Sequence, residues 1–262
     1  DNGNIYFDIP NFKTGEVTNL NKKDLSAYRE KVKYVFQDPA KSLNPRMNIL
    51  EILSSGLKWS SKKFSKQEVY DKCVKIIEEV GLSKEDLERY PSAFSGGQRQ
   101  RISIARALLM EPEILICDEV VSALDVSIQG QILNLLQDIR SKRNLSMIFI
   151  AHDLKVACYF CDRIGVMYKG ELMEEANAKD LYEKALHPYT QLLFSSVPNK
   201  NEKLNFEKEN FENKNLKTEI DKIKIEGCPF APRCEKATEK CFAEKPELKS
   251  ISENHKISCH NF

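Results

Sequence analysis

Phe94-Ser95-Gly96-Gly97-Gln98-Arg99-Gln100-Arg101 opens a stretch that runs with one apolar face to Met110, and Ile114-Leu115-Ile116-Cys117-Asp118-Glu119 follows. The first segment predicts a helix beginning at Ser95. Its unpaired N–H groups and positive dipole end point at whatever lies before it, and two first-turn glycines let a phosphate approach the backbone. Ile114 to Cys117 has no polar side chain, which predicts a central parallel strand covered on both faces. Two acids then stand at its carboxyl end, where open α/β sheets place ligands. Such a pair suits a Mg²⁺-bound nucleotide: one carboxylate holds the ion's water shell and the next activates a water. Taken separately, Gly96-Gly97 is a loop breaker and Asp118-Glu119 a solvated strand end. Their joint occurrence in this order carries the nucleotide reading.

These segments resemble the ATP-binding-cassette (ABC) ATPases. The resemblance implies an α/β, P-loop NTPase-like core with an α-helical subdomain at about 40–110, and it implies ATP and Mg²⁺. The P-loop pattern G-x-x-x-x-G-K-[S/T], whose lysine grips the β- and γ-phosphates, occurs nowhere in the 262 residues. In the family it precedes the motifs quoted above, and Asn4 to Asp8 resembles the short strand that follows the P-loop helix. The expectation is therefore a fragment or truncated gene product that turns over no ATP by itself.

Charge is plentiful but balanced at a formal +1, which gives no argument for nucleic acid or an anionic membrane. No apolar run approaches the roughly 20 residues needed to cross a bilayer, and the polar Asp1-Asn2-Gly3-Asn4 start lacks a signal-peptide pattern. In such a cytosolic-type chain the eight cysteines are expected as thiols or metal ligands rather than disulfides.

Lys33 to Phe36 is β-rich and stops at Gln37-Asp38-Pro39. Helical spacing follows at Ile49, Ile52, Leu53 and Leu57, then at Val69, Cys73, Ile76, Ile77 and Val80, and Gly81 ends it. Val120 to Asp125 resembles the family's dimer-interface loop, with valine at 120 where many relatives have proline. Val126 to Arg140 predicts an amphipathic helix, and Ser146 to Ala151 a buried strand ending at His152-Asp153. Arg163–Tyr168 and Glu171–Glu174 predict two strands around Lys169-Gly170. A helical stretch from Asn177 to Val197 is broken at His187-Pro188-Tyr189-Thr190, where Pro188 suits a first helical turn. That motif, with Ser42-Leu43-Asn44-Pro45 and Ser122 to Gln129, resembles the oligopeptide/dipeptide importer branch of the family.

Asn199 to Glu226 is dominated by Lys, Glu and Asn and reads as a linker, leaving an ATPase domain at 1–198 and a small cysteine module at 227–262. Cys228, Cys234, Cys241 and Cys259 are spaced C-x5-C-x6-C-x17-C, without the short pairs usual for zinc. Four thiolates on long irregular loops suit an iron–sulfur cluster at least as well, and some peptide-importer ATPases resemble this quartet and hold a [4Fe–4S] cluster. Buried free thiols are the plain alternative, although so short a module makes a poor core without a staple. Cys158 and Cys161 lie on a helical pattern and read as core.

By resemblance, Glu119 is the general base, Asp118 and Gln37 serve Mg²⁺, and His152 contacts the γ-phosphate. Ser95, Gly96, Gly97, Gln98 and Asp125 meet ATP and the partner across a dimer. Implied partners are a second ABC ATPase subunit, membrane permease subunits at the cytoplasmic membrane face and, indirectly, a solute-binding protein, with no nucleic acid. The rivals are a soluble ABC protein of DNA repair or translation, a non-catalytic ABC remnant, and the ATPase of a nickel-type importer.

Overall fold

The computed structural model describes residues 4–7, 15–60, 62–195 and 226–262. Its contacts divide the chain into two compact units, Asp1–His152 and Asp153–Phe262.

In the first unit, side-chain caps set the helix starts. Asn48 with Glu51, Ser65 with Glu68, and Ser95 with Gln98 each form a reciprocal box, satisfying N–H groups that a helix start leaves open. These open α3 (Ile49–Ser54), α4 (Lys66–Glu79) and α5 (Gly96–Leu108), after α1 (Lys22–Lys31) and the short α2 (Pro39–Ser42). Gly81, at φ +76°, turns the chain out of α4, and the Leu82 N–H returns to the Ile77 carbonyl at 3.1 Å. The apolar spacing read from the sequence becomes a shared core: Ile52, Leu53, Ile76, Ile77, Ile102, Ile104 and Leu108 are all buried.

Beside it lies a three-stranded parallel sheet, in the order β3 (Val32–Val35), β4 (Ile114–Asp118), β5 (Ser146–Ile150). A separate hairpin pairs β1 (Tyr6–Phe7) with β2 (Gly15–Glu16). α6 (Val126–Arg143) crosses over from β4 to β5 and runs three residues past Arg140, to a left-handed Asn144 at φ 48°. Register places Tyr34, Ile116 and Ile148 in one row and Asp118 beside Ile150, all on one face. Val35, Leu115 and Cys117 point the other way and are buried. The expected cover on both faces is thus found on one face only among the described residues. Ile148 and Ile150 are 53% and 44% exposed, so β5 is not the buried strand its sequence predicted.

The second unit holds an antiparallel sheet in the order β6 (Arg163–Tyr168), β7 (Glu171–Asn177), β9 (His255–Ile257), β8 (Lys249–Ser252). Lys169 and Gly170 make the first turn, both with positive φ, which matches the right-handed twist of the flanking strands. α7 (Leu154–Phe160), α8 (Ala178–Lys184) and α9 (Pro188–Ser195) cover it, and Pro188 is the first residue of its helix as expected. Leu154, Ile164, Val166, Ala176 and Leu181 form the core, with Cys158 and Cys161 packed against it. Strand β9, from the cysteine segment, pairs with β7 at Glu174↔Ile257, Glu175↔Lys256 and Ala176↔His255, so the C-terminal segment completes this sheet. The segment read as a linker, 199–226, lies outside the described residues apart from Glu226.

Candidate functional site

Three neighbouring parallel strands end side by side, and between them they deliver four expected residues. β3 delivers Gln37, β4 Asp118 and Glu119, and β5 His152. The Gln37 Nε2 donates to Glu119 Oε2 at 2.5 Å, and His152 Nδ1 lies 3.9 Å from the same oxygen. Glu119 is held in place by its backbone. It sits at φ 46°, left-handed for a non-glycine residue, a conformation costing about 1–2 kcal/mol, and its N–H donates to the Ile150 carbonyl at 3.0 Å. The His152 side chain is 66% exposed and that of Glu119 30% exposed, so both can be reached from solvent. Asp118 is bonded instead to Tyr34, whose hydroxyl donates to Oδ2 at 2.6 Å and whose phenol pKa is pushed up by that bond. The sequence reading did not single out Tyr34. The parallel pairing of β3 with β4 puts it on the acid's face.

The Ser95–Gln98 segment caps α5 in both directions: Gln98 N–H donates to Ser95 Oγ at 3.3 Å and Ser95 N–H to Gln98 Oε1 at 3.0 Å. A Cβ on Gly97 would lie 2.6 Å from Ile128 Cγ2, so the glycine is required by the approach of α6 as well as by any phosphate. Asp125 caps α6 from an extended backbone without a side-chain capping bond, which leaves its carboxylate outside the helix. Ser95 and Gly96 are part of this segment, but neither they nor Asp125 bond to the Gln37–Glu119–His152 group.

The loop after Gln37 is tied to α5. Arg106, whose pKa is lowered by burial, donates to the Ser42 carbonyl at 2.5 Å, and the Ser42 and Ser103 hydroxyls are 3.1 Å apart. These bonds join the segment after Gln37 to the helix that Ser95 opens. Within the same helical region an open groove of about 700 Å³ is lined by Leu50, Leu57, Phe64, Val69 and Tyr70, with Lys58 and Lys62 among its walls.

In the second unit the four cysteines of the quartet line one cavity, together with His187 and His260. Burial pushes up the thiols of Cys228, Cys234 and Cys259. As soft donors they suit iron or zinc. Among the described residues, however, no three His, Cys, Asp or Glu are disposed to hold a metal ion, so the expected ligand geometry is not met. His187 is occupied structurally: its Nδ1 accepts from the Tyr189 N–H at 3.0 Å, and its ring bonds to the Ser258 backbone. Beside it, the fully buried Glu174 carboxylate accepts from the Leu186 and His187 N–H groups at 2.8 and 3.0 Å and pairs with His255 Nε2 at 2.7 Å. Neither Glu174 nor His255 stood out in sequence, because a lone glutamate in a strand pattern reads as solvent-facing.

A family model described as ABC transporter matches residues 2–122. A second, for the C-terminal region of oligopeptide/dipeptide transporters, matches 173–241 and so joins β7 to the cysteine segment. The oligopeptide transport ATP-binding protein OppF of Haemophilus influenzae is 45% identical over 232 residues, covering 88% of this chain and 69% of that protein. AppF of Bacillus subtilis, also an oligopeptide transport ATP-binding protein, is 41% identical over 252 residues, covering 95% and 75%. Among solved structures, the ATP-binding cassette MJ0796, as a post-hydrolysis dimer bound to ADP and Pi, superposes with a TM-score of 0.57 at 27% identity. That match covers 68% of this chain and 74% of that one. No helix among the described residues is long and apolar enough to cross a membrane.

Proposed function

Since the chain belongs to the ABC transporter ATP-binding proteins of the oligopeptide/dipeptide branch, we propose that it hydrolyses ATP as the energy-coupling subunit of a peptide importer. The observation that carries the site assignment is the meeting of Gln37, Glu119 and His152 at the ends of adjacent parallel strands. Glu119 takes a proton from the water that attacks the γ-phosphate, and the imidazole of His152 orients that phosphate beside it. Asp118 and Gln37 hold Mg²⁺, which when bound screens phosphate charge. In a dimer, Ser95 to Gln98 of one subunit close on the nucleotide of the other, and Asp125 lies at the shared interface. Closure is transmitted through Arg106 and the Ser42 loop to the helical subdomain, whose apolar groove receives a segment of the permease at the cytoplasmic membrane face.

The test is Glu119→Gln in the full-length protein. It is expected to bind ATP and accumulate as a closed dimer, seen by size-exclusion chromatography with ATP, because closure needs no base. Turnover at the unmutated rate would refute the assignment of Glu119.

The quartet is proposed as a binding site for an iron–sulfur cluster or another metal. What supports it is the gathering of four thiols from a short segment around one cavity. Metal analysis of anaerobically purified protein, with Cys234→Ser/Cys241→Ser as control, is expected to find iron or zinc that the control loses. Finding neither returns the four residues to buried thiols.

A further inference from the structure

Strand β3 and the residues just after it touch both acids of the site: Gln37, two residues past the strand end, bonds to Glu119, and within the strand the Tyr34 hydroxyl bonds to Asp118 Oδ2 at 2.6 Å. No other hydrogen bond reaches the Asp118 carboxylate among the described residues. Resting on the reading that Asp118 serves Mg²⁺, we infer that Tyr34 is a positioning residue for that aspartate, anchoring Oδ2 so that Oδ1 is the oxygen presented to the ion. The register makes this a built contact. Tyr34 pairs with Ile116, and Asp118 follows two residues later on the same face. The partly buried Tyr34 ring leans on the exposed ring of Phe36, with centroids 4.6 Å apart, a contact that limits how far the hydroxyl can swing.

The physical role is that of an outer-shell partner. A carboxylate at a strand end, unbonded, samples both oxygens and several rotamers, and a metal must then order it at the moment of binding. One strong O–H···O⁻ bond removes that freedom beforehand and still leaves the second oxygen available. Removal of such a partner from a metal site typically costs 10–100-fold in metal affinity or activity. An apolar residue at 34 would give the same strand and the same packing on Phe36 without this control.

The experiment uses the full-length protein with a non-hydrolysable ATP analogue and Mn²⁺ as probe. Free Mn²⁺ is counted by electron paramagnetic resonance, for the unmutated protein, Tyr34→Phe, Asp118→Asn and the double variant, with thermal midpoints for all four. Tyr34→Phe is expected to weaken Mn²⁺ binding about tenfold. It should keep the midpoint and metal-free nucleotide binding, and add nothing on the Asp118→Asn background. Unchanged Mn²⁺ affinity in Tyr34→Phe, with Asp118→Asn weakened, would overturn the role of Tyr34 and leave that of Asp118 standing. Unchanged affinity in Asp118→Asn would overturn the metal role of the aspartate itself. Equal weakening by Tyr34→Phe on both backgrounds, with a lowered midpoint, would reduce Tyr34 to a packing residue.

Discussion

Glu119 and Glu174 are carboxylates on two different sheets, and they differ in everything except charge. Glu119 follows a strand end with a strained backbone, one amide donor and a histidine 3.9 Å away, and it is open to solvent. Glu174 lies inside a strand with no exposure, and two backbone N–H groups and an imidazole fill its oxygens. A buried charge persists only when its hydrogen bonds are made, so Glu174 is committed to holding the Leu186–His187 turn and strand β9 on β7. In the role proposed for Glu119, a group that accepts a proton from water has to keep an oxygen free and within reach. Glu119 does so, at the cost of a backbone conformation that its neighbours must enforce.

The contrast breaks most readily through activity. Glu119→Gln in the full-length protein is expected to lower ATP turnover about 10³-fold with ATP affinity kept, measured by phosphate release and equilibrium binding. Conversely, Glu174→Ala should act on stability: about 3 kcal/mol lost, seen as a lower unfolding midpoint and faster proteolysis near Leu186, because two amides and an imidazole lose their acceptor. A Glu174→Ala protein as stable as the parent would remove the distinction between the two acids.

A smaller effect tests the glycine of the first unit. Gly97→Ala puts a methyl into Ile128, a clash expected to destabilise by about 2 kcal/mol, and Ile128→Ala should relieve it. Lack of rescue in denaturant titrations would mean that Gly97 is not set by helix approach. The smallest concerns His187. Burial lowers its pKa, with Glu174 opposing, so the folded state favours the neutral ring. Stability from this group is therefore full above the ordinary histidine value of about 6.5 and is lost as pH falls below it towards the folded pKa. His187→Asn should flatten that acid-side loss in a series of urea midpoints, and an unchanged slope would exclude the histidine as its source.

The helices at 49–57, 69–80 and 95–110 were legible because apolar spacing is local, and the start at Ser95 because its capping partner lies three residues away; the caps at Asn48 and Ser65 were seen only in the structure. Gln37, Asp118, Glu119 and His152 were legible as residue types after strands, each in its own motif. Tyr34 was not, since its partner is 84 positions distant and only the register of β3 on β4 aligns them. The same holds for Glu174 and His255, 81 positions apart.

By itself, then, the sequence determined the helices at 49–57, 69–80 and 95–110, the strands before Asp118 and His152, the family and the order of the strand-end residues, because periodicity and short motifs are written within a few residues of chain. The tertiary structure alone decided that three strand ends share one oxygen of Glu119, that the cysteine segment joins the sheet of β6 and β7, and which acid is saturated and which is free. Those outcomes depend on long-range pairing, where one residue of register moves a side chain to the other face, and no local pattern carries that information.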